Sequence, residues 1–135
     1  MDTIDVVLET YPELTDFGFG RLNGFGEPLT KEEFEKQRAD LRKSVERVEA
    51  ARAWIRARLT PRKTFNPHSD SYCLKHRIER DIGYITNGVC IVAMLLEGYR
   101  ARLYPPNCIF NIRAKFKPND GGEGAEARRR EGGMT

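Results

Sequence analysis

"LTKEEFEKQRADLRKSVERVEAARAWIRARLTP", residues 29–61, is the stretch on which the fold turns. Thr30 and Glu33 have the spacing of a capping box, in which a hydroxyl and a carboxylate satisfy the free N–H groups at a helix start. From there to Pro61 the chain is rich in Ala, Arg, Glu, Lys and Leu, all good helix formers. The pattern predicts one helix within residues 30–60, and about 28 residues of helix are about 42 Å long at the usual rise. Phe34, Leu41, Val45, Val48, Ile55 and Leu59 follow one another at intervals of 7, 4, 3, 7 and 4. That is a narrow seam of the coiled-coil kind. Arg38 and Arg52 occupy its open positions, where a polar group costs stability and fixes register. So long a helix with so narrow a stripe is expected to pair with another long element, within the chain or across a homodimer.

Upstream, "TIDVVLETY" (3–11) reads as a short helix or docking arm that stops at Pro12. "FGFGRLNGFGEP" (17–28) then brings Gly for unusual backbone angles and Phe for anchors, as an ordered loop over the core. A phosphate-cradling loop needs a strand before it and a helix directly after, and neither flank fits. Downstream, Ser69 or Asp70 caps a helix over 71–82, with Leu74, Ile78 and Ile82 as its buried stripe. Thr86 or Asn87 caps a further helix over 87–97, apolar nearly all round and so expected inside the protein. Strand alternation around "PPN" predicts a hairpin of 99–104 with 108–113. From Lys117 onward nothing apolar remains to bury, which predicts a disordered tail.

The expected architecture is mainly α with a C-terminal β-hairpin, an α+β class. Its parts are an arm and Gly/Phe-rich loop (1–29), the long helix (30–60), a compact helix-turn-helix plus hairpin module (61–116) and the tail (117–135). At 135 residues the chain has room for one domain with a real core. No window approaches a membrane-spanning length of apolar residues, and the acidic "MDTIDVVLET" is unlike a secretory leader. A cytoplasmic protein with no membrane partner is expected. Cys73, Cys90 and Cys108 have neither metal-ligand nor redox spacing, so free thiols and no cofactor are expected.

Charge is unevenly distributed. Residues 1–41 carry ten acids and four bases, net −6; residues 42–80 carry four acids and eleven bases, net +7. A basic middle suits DNA or RNA, or an acidic protein partner. The contacts expected are Arg56, Arg58, Arg62, Lys63, Lys75, Arg77 and Arg80, with Arg100 and Arg102 on the hairpin. Helix, turn, helix and hairpin is the element order of a winged helix-turn-helix. Helix 87–97, however, offers only Asn87 and Glu97 to read bases. Backbone contacts, salt-dependent and poor in sequence information, are therefore expected. Tyr72, His76 and Glu79 share one face of helix 71–82, with Lys75 at its edge. They form a binding surface, or a solvated face with a Lys75–Glu79 pair. A hydrolase or nuclease using His76 and Glu79 is the least favoured alternative.

The pattern "SYCLKH-x-x-E" (71–79), "YITNG-x-x-I-x-A" (84–93), "GY" (98–99) and "PN-x-x-FNI" (106–112) resembles small proteins of unassigned role carried by bacterial phages, plasmids and integrative elements. The likeness covers residues 61–112. It implies an accessory protein of a mobile genetic element, without defined chemistry. Such elements carry nucleic-acid-binding regulators and also inhibitors of host defence complexes. The leading expectation is a non-enzymatic nucleic-acid-associated accessory or regulatory protein. The alternative is a protein-binding module or inhibitor, using the acidic front and the Phe-rich loop.

Overall fold

The computed structural model describes residues 2–117. The expected disordered tail, apart from Lys117, lies outside the described residues. Five helices and two small antiparallel hairpins follow one another: α1 (Ile4–Thr10), β1 (Leu14–Thr15), β2 (Gly18–Phe19), α2 (Lys31–Lys43), α3 (Val45–Arg58), α4 (Ser71–Ile82), α5 (Asn87–Leu96), β3 (Ala101–Tyr104) and β4 (Asn107–Phe110). The α+β class is as read from the sequence. No helix among the described residues is long and apolar enough to cross a membrane.

α5 is the hub. Its residues from Asn87 to Leu95 are all buried, and α1, α3, α4 and β2 pack around it. Its start is fixed by Thr86, whose hydroxyl oxygen accepts from Val89 N at 3.0 Å. α4 starts in the same way, with Asp70 Oδ1 accepting from Cys73 N at 2.8 Å, and it stops at Gly83, where φ is +88°. The hairpin pairs Ala101 with Phe110 and Tyr104 with Asn107. Cys108, Phe110 and Ile112 are fully buried, as their alternation predicts.

The single long helix is corrected to two. Thr30 and Glu33 do form the capping box, but Ser44 departs from helical geometry at ψ 39° and divides α2 from α3. Its hydroxyl turns back to donate to Asp40 O at 2.9 Å, a local bond that competes with helix continuation. The two halves have different neighbours: α2 lies against α1 and β1, α3 against α4 and α5. A straight rod cannot follow both surfaces. The seam residues Phe34, Leu41, Val48, Ile55 and Leu59 are consequently buried in this chain's own core, while Val45 at the break is 54% exposed.

Arg38, in the seam, acts as a clamp on the arm. Its guanidinium donates to Leu8 O at 2.7 Å in the last turn of α1, to Leu14 O at 2.8 Å in β1, and to Tyr11 O at 3.1 Å, which also accepts from Leu14 N. Arg47 does the same at the end of α4, donating to Ile82 O at 2.7 Å. The Gly/Phe-rich segment is an ordered loop in part, but it opens with β2 of the β1–β2 hairpin. Gly18 and Gly88 are the points where its neighbours close in. A Cβ on Gly88 would stand 2.4 Å from Thr15 O, and one on Gly18 2.0 Å from Pro106 O.

Candidate functional site

The nine expected cations divide into three sets: those matched by carboxylates, Arg77 and Arg80 on α4, and a group near Phe65. Arg56 and Arg52 both bond the Glu97 carboxylate, at 2.8 and 2.7 Å. Arg58 is buried, pairs with Asp81 at 3.1 Å and donates to Lys117 O at 2.7 Å. Lys75 is buried and pairs with Glu79. Arg56, Arg58 and Lys75 are thus matched by carboxylates of the chain itself. Arg77 lies over the Phe116 ring at 5.1 Å, and Arg80 is exposed on the same helix.

The third set gathers around Phe65. Arg100 and Arg102 lie over its ring at 5.2 and 5.0 Å. Arg62 Nη2 donates to Phe65 O at 2.8 Å, and Arg100 Nη2 donates to Lys63 O at 2.5 Å. Carbonyls and a ring face hold these guanidiniums in place without cancelling their charge. None of Arg62, Lys63, Arg100 and Arg102 forms an ion pair with another described residue. The structure thus brings together the guanidiniums of Arg62, Arg100 and Arg102, three of the nine expected cations, with Lys63 joined to them through its backbone carbonyl.

Tyr72, Lys75, His76 and Glu79 meet as their helical spacing requires. The Tyr72 and His76 rings pack edge to face at 4.4 Å, and His76 Nδ1 is 3.1 Å from Glu79 Oε1. Lys75 shares that oxygen, so the carboxylate is occupied from two sides. His76 and Tyr72 are exposed. The four nevertheless point two ways, because Lys75 and Tyr72 line a cleft whose lining contains neither His76 nor Glu79.

That cleft, about 710 Å³, opens at the start of α5. The β1–β2 turn supplies Asp16 and Phe17, and α2 supplies Gln37 and Asp40. The α4–α5 link supplies Tyr84 and Thr86, and the tip of the β3–β4 hairpin supplies Pro106 and Asn107. Asn87, only 7% exposed, forms part of the lining between them. Its Nδ2 donates to Phe17 O at 3.1 Å and to Asn107 Oδ1 at 2.9 Å, while its Oδ1 is buried with no partner. Thr86 donates to Asp16 Oδ1 at 2.8 Å. Burial pushes the Asp16 carboxyl above its usual range, the Thr86 bond pulls it down, and nearby Asp40 pushes it up again. Lys75 Nζ lies 5.0 Å from the centre of the Tyr84 ring.

Of these groups Tyr72, Lys75 and Asn87 were named from the sequence as contacts, Thr86 only as a helix cap, and Tyr84 and Asn107 only as parts of the quoted pattern. Asp16 was not singled out at all, and the group meets because three distant turns converge. The thiols lie elsewhere in character: burial holds Cys90 well above its usual range and pushes Cys108 up to about 12. Among the described residues no group of three or more His, Cys, Asp or Glu is placed to hold a metal ion. No protein-family model matches the chain, and no curated protein or solved structure matches it either.

Proposed function

We propose that the chain is a non-enzymatic, nucleic-acid-associated accessory protein of a mobile genetic element, which holds a phosphate backbone on the Arg62, Lys63, Arg100 and Arg102 patch. The observation that carries this is the unmatched charge of Arg100 and Arg102 over the Phe65 ring and of Arg62 on the Phe65 carbonyl, with Lys63 next to it in the chain. Guanidiniums fixed by carbonyls keep free N–H groups for phosphate, and little order remains to be gained on binding. Alternate residues of a strand share a face, so Arg100, Arg102 and exposed Tyr104 form one row, about 7 Å apart. A basic row ending in an aromatic ring suits a single strand, with phosphates on cations and a base on the ring.

The test is a titration of a labelled single-stranded oligonucleotide at two salt concentrations. Binding at low salt that weakens as salt rises is expected. No affinity for single-stranded DNA or RNA at low salt overturns the assignment. Phe25, 90% exposed at the tip of the Gly-rich loop, favours the second reading, a protein-binding module. A protein partner retained at high salt, and lost with Phe25→Ser, supports that reading over the first.

A further inference from the structure

We propose that the cleft at the start of α5 receives one unstacked nucleobase that bears an exocyclic amino group, presented by a strand lying on the Phe65 patch; to that extent it rests on the function proposed above. The two features occupy the two ends of one hairpin. The row of Arg100, Arg102 and Tyr104 runs along β3 toward the turn, and that turn, through Pro106 and Asn107, forms a wall of the cleft. A strand that follows the row reaches the cleft mouth.

The lining suits a flat ring. Tyr84 and Tyr72 are 71% and 52% exposed, large rings standing at the rim with much of their surface open. Phe17 contributes a third aromatic face. Aromatic side chains take any base by stacking, so the polar groups set the preference.

Those polar groups ask for N–H donors. Thr86 Oγ1 already accepts from Val89 N, so its one proton goes to Asp16 Oδ1. Asp16 Oδ2 is left to accept from a ligand. Asn87 has both amide hydrogens committed, to Phe17 O and Asn107 Oδ1, and its Oδ1 is an acceptor with nothing to accept. Cytosine, adenine and guanine carry an exocyclic amino group with two donor hydrogens, whereas thymine and uracil have only carbonyl oxygens outside the ring and the single N3–H as donor on that edge. A free cation would find Asp16 alone, since Asp40 already pairs with Lys36 at 2.8 Å and no group of three or more His, Cys, Asp or Glu among the described residues is placed to hold a metal ion. A neutral base with an amino edge needs no such group.

The experiment compares three labelled oligomers of about ten units, a usual site size for a single strand: oligo-dC, oligo-dT and an abasic phosphodiester of equal length, all at one low salt concentration. Oligo-dC is expected to bind at least about five-fold tighter than oligo-dT, with the abasic chain weakest. Tyr84→Ala, a change at an exposed ring, is expected to bring oligo-dC close to the abasic value and leave abasic affinity unchanged. Asp16→Asn sharpens the test. Thr86 still demands an acceptor, so the new amide turns its oxygen to Thr86 and its nitrogen to the cleft, and preference moves toward oligo-dT.

Equal affinity for all three oligomers, untouched by Tyr84→Ala, overturns the cleft proposal and leaves the patch assignment standing. If none of the three binds, the patch assignment falls instead. Free cytidine then decides the cleft alone: shifts at the Thr86, Asn87 and Asn107 amide resonances retain it as a base site, and their absence removes it.

Discussion

At position 38 an arginine stands where a coiled-coil seam would carry an apolar side chain. Its value lies in geometry: a planar fork reaches Leu8 O, Tyr11 O and Leu14 O together. Lysine keeps the charge but concentrates its donors at one point. Arg38→Lys is therefore expected to cost about 2 kcal/mol, since it strands partly buried carbonyls. Urea unfolding checks this as a fall in midpoint at constant slope; an unchanged midpoint removes the clamp as a stabilising device. Asp16 gives a second residue-scale expectation. Burial lifts its folded carboxyl above the unfolded value of 3.8, so the folded chain holds more protons there. The stability from this group is present at low pH and is lost as pH climbs from 3.8 through the lifted folded value. Asp16→Asn does not titrate, so it should gain on the parent as pH rises through that window. Thermal midpoints measured across it test the sign, and a difference that stays flat contradicts it.

Among elements, the sequence was legible where local rules decide. The α4 stripe of Leu74 and Ile78 (its third expected member, Ile82, is only half-buried), the capping box at Thr30, the apolar α5 and the hairpin at "PPN" all follow from propensity, caps and alternation. The division at Ser44 was not legible, because serine inside a helix-forming run is a weak signal. What decides it is that α2 and α3 lie on differently placed neighbours, a tertiary fact. The seam intervals were real, yet they record burial within one chain. Gly88 was legible only as part of a helix start. Its role appears in the fold, where Thr15 O and Asp16 Cα press on the place a side chain would fill, at 2.4 and 2.9 Å. Both contacts are backbone, which yields little. Gly88→Ala is expected to lose about 2–3 kcal/mol through overpacking. Chemical denaturation measures it, and a loss below about 0.5 kcal/mol, as for a surface change, rejects the close approach.

For the molecule as a whole, the +7 of residues 42–80 overstated the charge open to a partner. Sequence gives the count of cations. Pairing with carboxylates such as Glu97, far along the chain from Arg52 and Arg56, needs the fold. The expected site was legible to the same extent: Arg62, Lys63, Arg100 and Arg102 were picked out, but not their separation from Arg56, Arg58 and Lys75. A paired comparison follows. Arg102→Gln should lower the slope of log affinity against log salt for single-stranded DNA by about 0.7. Arg56→Gln, at a charge already matched by Glu97, should leave that slope where it is. Equal effects of the two substitutions count against a localised patch. The cleft was less legible still, since Thr86 and Asn87 reach Asp16 and Phe17 across 70 positions.

The crowding at Gly18 and Gly88 also bears on how this chain can diverge. Main chain meets main chain at Pro106 and at Thr15, so the distance between the flanking loops is set by atoms that no substitution alters. Relatives that acquired a new taste for ligands would have to do so by exchanging rim side chains, Tyr72, Tyr84 and Gln37 first, and not by widening the gap. Variation concentrated at those three places, over an unvarying pair of glycines, is the pattern such a history would leave.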